Sequence, residues 1–215
     1  MNLLPQDRIL LEQAYEKVLI KEERNITSDQ AYNNFVLVLG IPGAGKSTLY
    51  KYGLINLDNI VHVSPDKWIE IHAKQKQINL GSPAETAKVH QQISPTWKKH
   101  SQQFIANKSN RVNYVMEKIG GNPESTKKII DQVKELGFKI IVVLVHVNLD
   151  TAIKANQQRP RTVPENLIKD AYERIESTFD YLVGQPEVSE AWRIDNDQHP
   201  SYQGFRSSNF IKKIK

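Results

Sequence analysis

Residues 37–50 read LVLGIPGAGKSTLY, with glycine at 40 and 45, lysine at 46 and serine at 47 directly behind an aliphatic run. This GxxxxGK(S/T) spacing constrains the fold more than any other feature, because it needs a buried strand that runs into a tight loop and then a helix. The preceding NFVLVLG has the unbroken apolar character of a strand covered on both faces in a parallel sheet, and predicts that strand one ends at Gly40. Glycines without side-chain bulk let successive backbone N–H groups point inward at an anion. A helix from about Lys46 to Tyr52 would aim its positive end at the same place.

The remaining pattern alternates strands and helices. NIVHVS, residues 59–64, is a second short strand that leads into Pro65 and Asp66, and VNYVME, residues 112–117, is a third. GGNPESTKKIIDQVKELG then predicts a helix capped by Asn122, with Pro123 at its first position, Gly137 as terminator, and Ile129, Ile130, Val133 and Leu136 as its apolar stripe. FKIIVVLVHV is a fourth strand, Asp150 to Gln158 a short helix, and EAWRIDND a fifth strand. Thr162 and Glu165 have capping-box spacing at the start of a helix whose buried face is Ile168, Tyr172, Ile175, Phe179 and Leu182. The expectation is an α/β, P-loop fold: a five-stranded parallel sheet with helices on both faces, plus an N-terminal helix and a helical insertion.

Three regions follow. Residues 1–33 form an N-terminal extension, with Leu11, Ala14, Tyr15, Val18 and Leu19 at helical spacing; residues 34–197 form the nucleotide-binding domain, with an insertion at about 67–110; residues 198–215 form a basic tail. In the insertion, Ser82 and Ser94 stand where they can cap helices. The chain has no cysteine, so disulfides and thiolate metal sites are excluded, and its six histidines show no ligand spacing. Charges at Asp7, Arg8 and Glu12 interrupt any signal peptide, and the longest apolar run, IIVVLVHV, is far below the roughly 20 residues that span a bilayer. The expected setting is the cytoplasm, with no membrane contact. A net charge of +5 suits a protein that handles anions, but it is spread along the chain, and the basic spots at Lys98, Lys99 and His100 and in FIKKIK read as solvated surface.

Parallel sheets of this kind place ligands at the carboxyl ends of their strands, which directs attention to the loop after Gly40, to Asp66, Glu117 and Asp150, and to the stretch around Asn196. Gly40, Ile41, Pro42, Gly43, Ala44, Gly45, Lys46, Ser47 and Thr48 form the candidate phosphate cradle, with Lys46 reaching the β- and γ-phosphates and the Ser47 hydroxyl on Mg²⁺. ATP with magnesium is the expected ligand. A GTPase would need an NKxD element, and a motor would need a longer chain and a strand ending in consecutive acidic residues; neither is present. That leaves transfer to a hydroxyl. Asp66 suits a general base for that hydroxyl, or else caps the next helix. Glu117 can hold Mg²⁺ through water or accept hydrogen bonds from an acceptor, beside Gly120 and Gly121 that leave room for it, or else is a surface carboxylate. Arg159 and Arg161 lie between two helices, where they can close over the transferring phosphoryl group, or else are solvated.

LGIPGAGKST, VSPDKW, YVMEKIGG, LGFKIIVVLVHV, RPRTVP and EAWRIDND occur in the order and approximate spacing of the zeta toxin kinases, so residues 34–197 resemble that family. The resemblance implies ATP-dependent phosphorylation of a sugar hydroxyl on UDP-N-acetylglucosamine, and restraint by an antitoxin protein. It implies that Asp66 is the base, Glu117 binds substrate, and Arg161 is one lid arginine, with either Lys154 or Arg159 as the second lid cation. Lys118 and Ile119 stand where family members commonly have glycine and threonine, which points to an altered acceptor pocket. Two other readings stand beside this one: a polynucleotide 5′-hydroxyl kinase that uses the positive charge to engage phosphates, and an ATP-binding switch or interaction module that transfers nothing.

Overall fold

The structure, a computed structural model, describes residues 28, 32–47, 49, 54, 55, 57–63, 73, 77, 78, 82, 84, 85, 88, 89, 91, 92, 112–159, 162–198 and 211–215. The N-terminal helix, most of the insertion, and Thr48, Asp66 and Arg161 lie outside the described residues.

The elements, in chain order, are β1 (Asn34–Leu39), β2 (Ile60–Val63), β3 (Asn113–Lys118), α1 (Pro123–Glu135), β4 (Lys139–His146), α2 (Leu149–Gln157), α3 (Glu165–Val183), β5 (Val188–Asp195), a 3₁₀ turn (Asn196–Gln198) and β6 (Ile211–Lys213). One sheet holds all six strands in the order β2-β3-β1-β4-β5-β6. The first five are parallel, so the carboxyl ends of β1, β3, β4 and β5 share one edge, with β1 between β3 and β4. Every residue of β1 is fully buried, as are Ile140 to Leu144 of β4, so both faces of the sheet's centre are covered, as the apolar runs predicted. Each large aliphatic side chain buried there contributes about 1.5–3 kcal/mol. Among the described residues no helix is long and apolar enough to cross a membrane.

Helix α1 forms as expected. The Asn122 side chain accepts from Ser125 N at 2.9 Å, Pro123 opens the helix, and Gly137 at φ 82° ends it in the left-handed region that glycine enters without strain. Ile130 and Val133 are buried, with Ile129 and Leu136 packed beside them.

Two expectations are corrected. The sheet has six strands: Ile211, Lys212 and Lys213 of the tail read as solvated form an antiparallel strand against β5. A single apolar residue among lysines carries no strand signal, and tertiary contacts supply what propensity does not. Ile211 is buried, Lys213 pairs with Glu190 at 2.8 Å, and its ammonium lies 5.4 Å from the centre of the Trp192 ring. Second, α3 starts at Glu165 with Pro164 as a cap that makes no side-chain hydrogen bond, so Thr162 and Glu165 form no capping box. A box would put Val163 at the first helical position, and a residue that precedes proline is driven out of the helical region.

Candidate active site

At the end of β1 the chain keeps one more sheet bond, Gly40 N to Lys118 O at 3.2 Å, and then turns. Ala44 N closes on Ile41 O at 3.0 Å, and Gly43 and Gly45 take φ of 85° and 81°. Gly43 is required twice over: a Cβ there would lie 2.1 Å from the Ala152 carbonyl oxygen of α2. Ile41, Pro42 and Ala44 are buried, and the side chains of Ile41 and Ala44 join the core. Lys46 Nζ donates to Gly40 O at 2.7 Å and to Ile41 O at 3.2 Å, which folds the ammonium back over the loop it would share with a phosphate. Ser47 is exposed in a turn two residues before Leu49, which is helical.

These residues fit a nucleotide phosphate. The loop is curled by two left-handed glycines and carries an ammonium whose bonds to Gly40 O and Ile41 O a phosphate oxygen can replace. Among the described residues no cluster of His, Asp or Glu could hold a metal ion alone.

The loop is braced from β5. Asn196, 1% exposed, donates from Nδ2 to Ala44 O at 2.6 Å. The next residue, Asp197, accepts from Asn148 N at 2.6 Å, at the start of α2. The strand-end rule pointed at Asn196, but nothing in its neighbourhood told that its side chain holds the phosphate loop.

Glu117 lies near the end of β3, level with Val38 of β1 and half-buried. It is thus on the strand next to the phosphate loop. Its neighbour Lys118 faces the other way and donates to the buried Thr126 hydroxyl of α1 at 3.0 Å. The room expected at Gly120 is filled: it is buried at φ 76°, and a Cβ would meet Ile175 Cδ1 at 2.4 Å. Gly121 alone has open space around it.

Arg159 lies just past α2, with its N–H on Asn156 O at 3.2 Å, and Lys154 is exposed on the helix itself. Asn156 was not expected to matter. Its buried side chain bonds Val163 in both directions, Nδ2 to O at 2.9 Å and Oδ1 from N at 3.0 Å, and so clips together the two ends of the connection that carries Arg159. The available signal was periodicity, since an asparagine occupies the buried position one turn after Ala152. A further group unseen in the sequence joins α3 to the sheet: Arg193 makes a bidentate pair with Glu176, and His146 Nδ1 lies 2.7 Å from the same carboxylate.

The sequence profile of the zeta toxin family matches residues 17–203. The chain belongs to the zeta toxin family. A comparison with curated proteins returns no match. Among the solved structures that share the fold of this zeta toxin family member at low identity are three. One is a chain from the PezAT chromosomal toxin–antitoxin system of Streptococcus pneumoniae, with 12% identity, a TM-score of 0.54, and coverage of 91% of this chain and 79% of that one. Another is the AvrRxo1-ORF1:-ORF2 complex with ATP, with 16% identity, a TM-score of 0.61, and coverage of 96% and 68%. A sulphate-bound structure of that complex matches at 17% identity and a TM-score of 0.59, and this chain spans 63% of its length.

Proposed function

We propose that this zeta toxin family member is an ATP-dependent kinase that transfers the γ-phosphoryl group to a hydroxyl acceptor, the sugar of UDP-N-acetylglucosamine or a similar nucleotide sugar. The observation that carries the reading is the loop itself, with Gly43 and Gly45 left-handed and Lys46 Nζ folded over Gly40 O and Ile41 O. Family membership supports the choice of acceptor.

Bound ATP supplies the phosphoryl group and leaves as ADP, with Mg²⁺ offsetting the charge between them. Lys46 moves from its carbonyl partners to the phosphates, and Ser47 places its hydroxyl on the metal. Asp66 takes the proton of the acceptor hydroxyl as its oxygen bonds to phosphorus. Glu117 orients the acceptor, and Arg159 with Arg161 stabilises charge on the transferring group. In this reading residues 34–197 are the kinase domain, 1–33 a helical extension and 67–110 a helical insertion, and the protein acts in the cytoplasm. An antitoxin protein is the proposed partner, by analogy with the toxin–antitoxin system of the PezAT structure.

The test offers UDP-N-acetylglucosamine and a 5′-hydroxyl oligonucleotide together with labelled ATP. Label on the nucleotide sugar is the expected result. Label only on the oligonucleotide would replace this acceptor with nucleic acid, and ATP binding with no transfer to either would refute the assignment.

A further inference from the structure

The phosphate loop has few fixed points of its own, because a cradle of backbone N–H groups must leave its donors open to the anion. Its shape therefore depends on what holds its carbonyls. Among the loop carbonyls, Gly40 O and Ile41 O are engaged by Lys46, the side chain that must leave them to meet a phosphate. Ala44 O is held by Asn196, a residue 152 positions away that lies just past the end of a different strand. Asn196 is 1% exposed and its bond is short, at 2.6 Å. The adjoining Asp197 fixes the first backbone N–H before α2, and α2 in turn presents the Ala152 carbonyl against Gly43. One turn thus constrains the loop from two sides, directly at Ala44 and through α2 at Gly43.

We propose that Asn196 is the positioning residue of the phosphate loop: its amide donor sets the Ala44 carbonyl, and with it the neighbouring backbone N–H groups, in the geometry that accepts phosphate before any nucleotide arrives. The proposal rests on the nucleotide-binding part of the function proposed above and is independent of the acceptor. Asn196 touches no phosphate; it acts through the loop. Its loss therefore weakens ATP binding by releasing a preorganised site, and raises KM for ATP more than it lowers kcat.

The decisive measurement is equilibrium binding of Mg-ATP to wild type, Asn196→Ala, Asn196→Asp and Asn113→Ala, with thermal unfolding of each. Asn113 is a buried amide at the opposite end of the sheet, bonded to Asn34 and to Asp58 O, so it reports what general softening does. The Kd of Asn196→Ala is expected to rise about tenfold or more, the scale of one lost buried hydrogen bond, while Asn113→Ala lowers the melting temperature and leaves Kd near wild type. Asn196→Asp keeps the shape of the side chain. Ionised, it turns an oxygen on the Ala44 oxygen; protonated, it restores a donor. Its affinity relative to wild type at the same pH is therefore expected to recover as the pH falls through the new carboxyl's titration, a response that a purely structural role would not produce. Wild-type Kd in both Asn196 variants would overturn the proposal and leave the kinase reading intact. So would an equal loss in Asn113→Ala. Failure of the wild type to bind ATP would overturn both.

Discussion

Gly43 is the position where the geometry makes the sharpest demand, and Gly43→Ala separates two effects of a single methyl group. The first is backbone strain: φ is 85°, and an L-residue held in the left-handed region costs about 1–2 kcal/mol. The second is steric. The new Cβ would lie 2.1 Å from Ala152 O, 2.9 Å from Ala152 C and 3.1 Å from Ala152 Cα, all backbone atoms of α2 that no rotamer change can move. Close carbon–oxygen contacts begin at about 3.3 Å, so the loop and α2 must part by about 1 Å. A displacement of that size at a reacting centre costs about 100-fold in rate. Gly120→Ala supplies the comparison, since φ there is 76° but the Cβ meets side-chain atoms alone, Ile175 Cδ1 at 2.4 Å with Leu39 Cδ2 and Ile175 Cγ1 at ordinary contact distance. Both variants should melt some 2–8 °C below wild type, from the shared strain at about 2–4 °C per kcal/mol. Only Gly43→Ala should lose ATP affinity and about two orders of magnitude in kcat/KM. The assays are differential scanning fluorimetry, calorimetric ATP titration and steady-state turnover. If Gly43→Ala bound ATP as wild type does, or if Gly120→Ala lost as much, the argument from the Ala152 carbonyl would fail.

Three further outcomes are expected. Lys46→Ala should weaken ATP binding and transfer together, whereas Asp66→Asn should keep ATP binding and lose transfer by about two orders of magnitude or more, as labelled-ATP assays would read; unchanged turnover in Asp66→Asn would remove it as the base. Asn156→Ala leaves the N–H and carbonyl of Val163 without their side-chain partner, at about 1–3 kcal/mol for each unsatisfied group. If the clip serves Arg159, kcat should fall more than ATP affinity does, and a loss of stability alone would show that it only closes the fold. At Glu190, burial would raise the carboxyl's pKa, but hydrogen bonds from Lys139 and Lys213, and their charges, outweigh it and hold the group below its ordinary range. A carboxylate with a folded pKa below its unfolded one adds stability above the unfolded value, and that stability is lost as the pH falls through the folded value. The protection of the Ile214 amide, which bonds Ala191 O at 2.7 Å, measured against its intrinsic exchange rate at each pH, should therefore fall in acid, and Glu190→Gln should lower it at neutral pH and flatten the acid dependence; identical profiles would refute the role of Glu190 in holding β6.

The sequence made the donor side legible and left much of its support hidden, for a physical reason. Glycine spacing, a strand buried on both faces and the Asn122-Pro123 helix start are local signals, and β1, the loop and α1 stand where those signals put them. The sixth strand, the Asn196 bond and the Asn156 clip join residues far apart in the chain or rest on a polar side chain at an apolar position. Periodicity does not encode such partners. The failed capping box at Thr162 shows the opposite error, a local motif that matched in letters while the proline inside it forbade the geometry. The acceptor side is divided. Glu117 stands on the strand beside the phosphate loop, whereas Asp66 and Arg161 fall among residues outside those described.

The departure at Lys118 and Ile119 acquires a definite meaning from how the loop is held. Among the described residues, three connections from outside the loop engage its main chain: Lys118 O accepts from Gly40 N, Ala152 O abuts Gly43, and Asn196 donates to Ala44 O. Two of the three come from the supporting residue's own carbonyl, which any amino acid supplies. A lysine at position 118 therefore leaves the nucleotide cradle unchanged while its side chain crosses to Thr126 on the far side of the strand from Glu117. Ile119, which follows, is 48% exposed, two residues before Gly121, which has open space around it. Substitution at 118 and 119 is thus free to reshape what lies beyond Glu117 without disturbing what lies at Lys46. Exchanging Lys118 and Ile119 together for glycine and threonine should shift KM for the hydroxyl acceptor and leave the Kd for ATP unmoved; a change in ATP affinity would mean that the two halves of the site are not separable in this way.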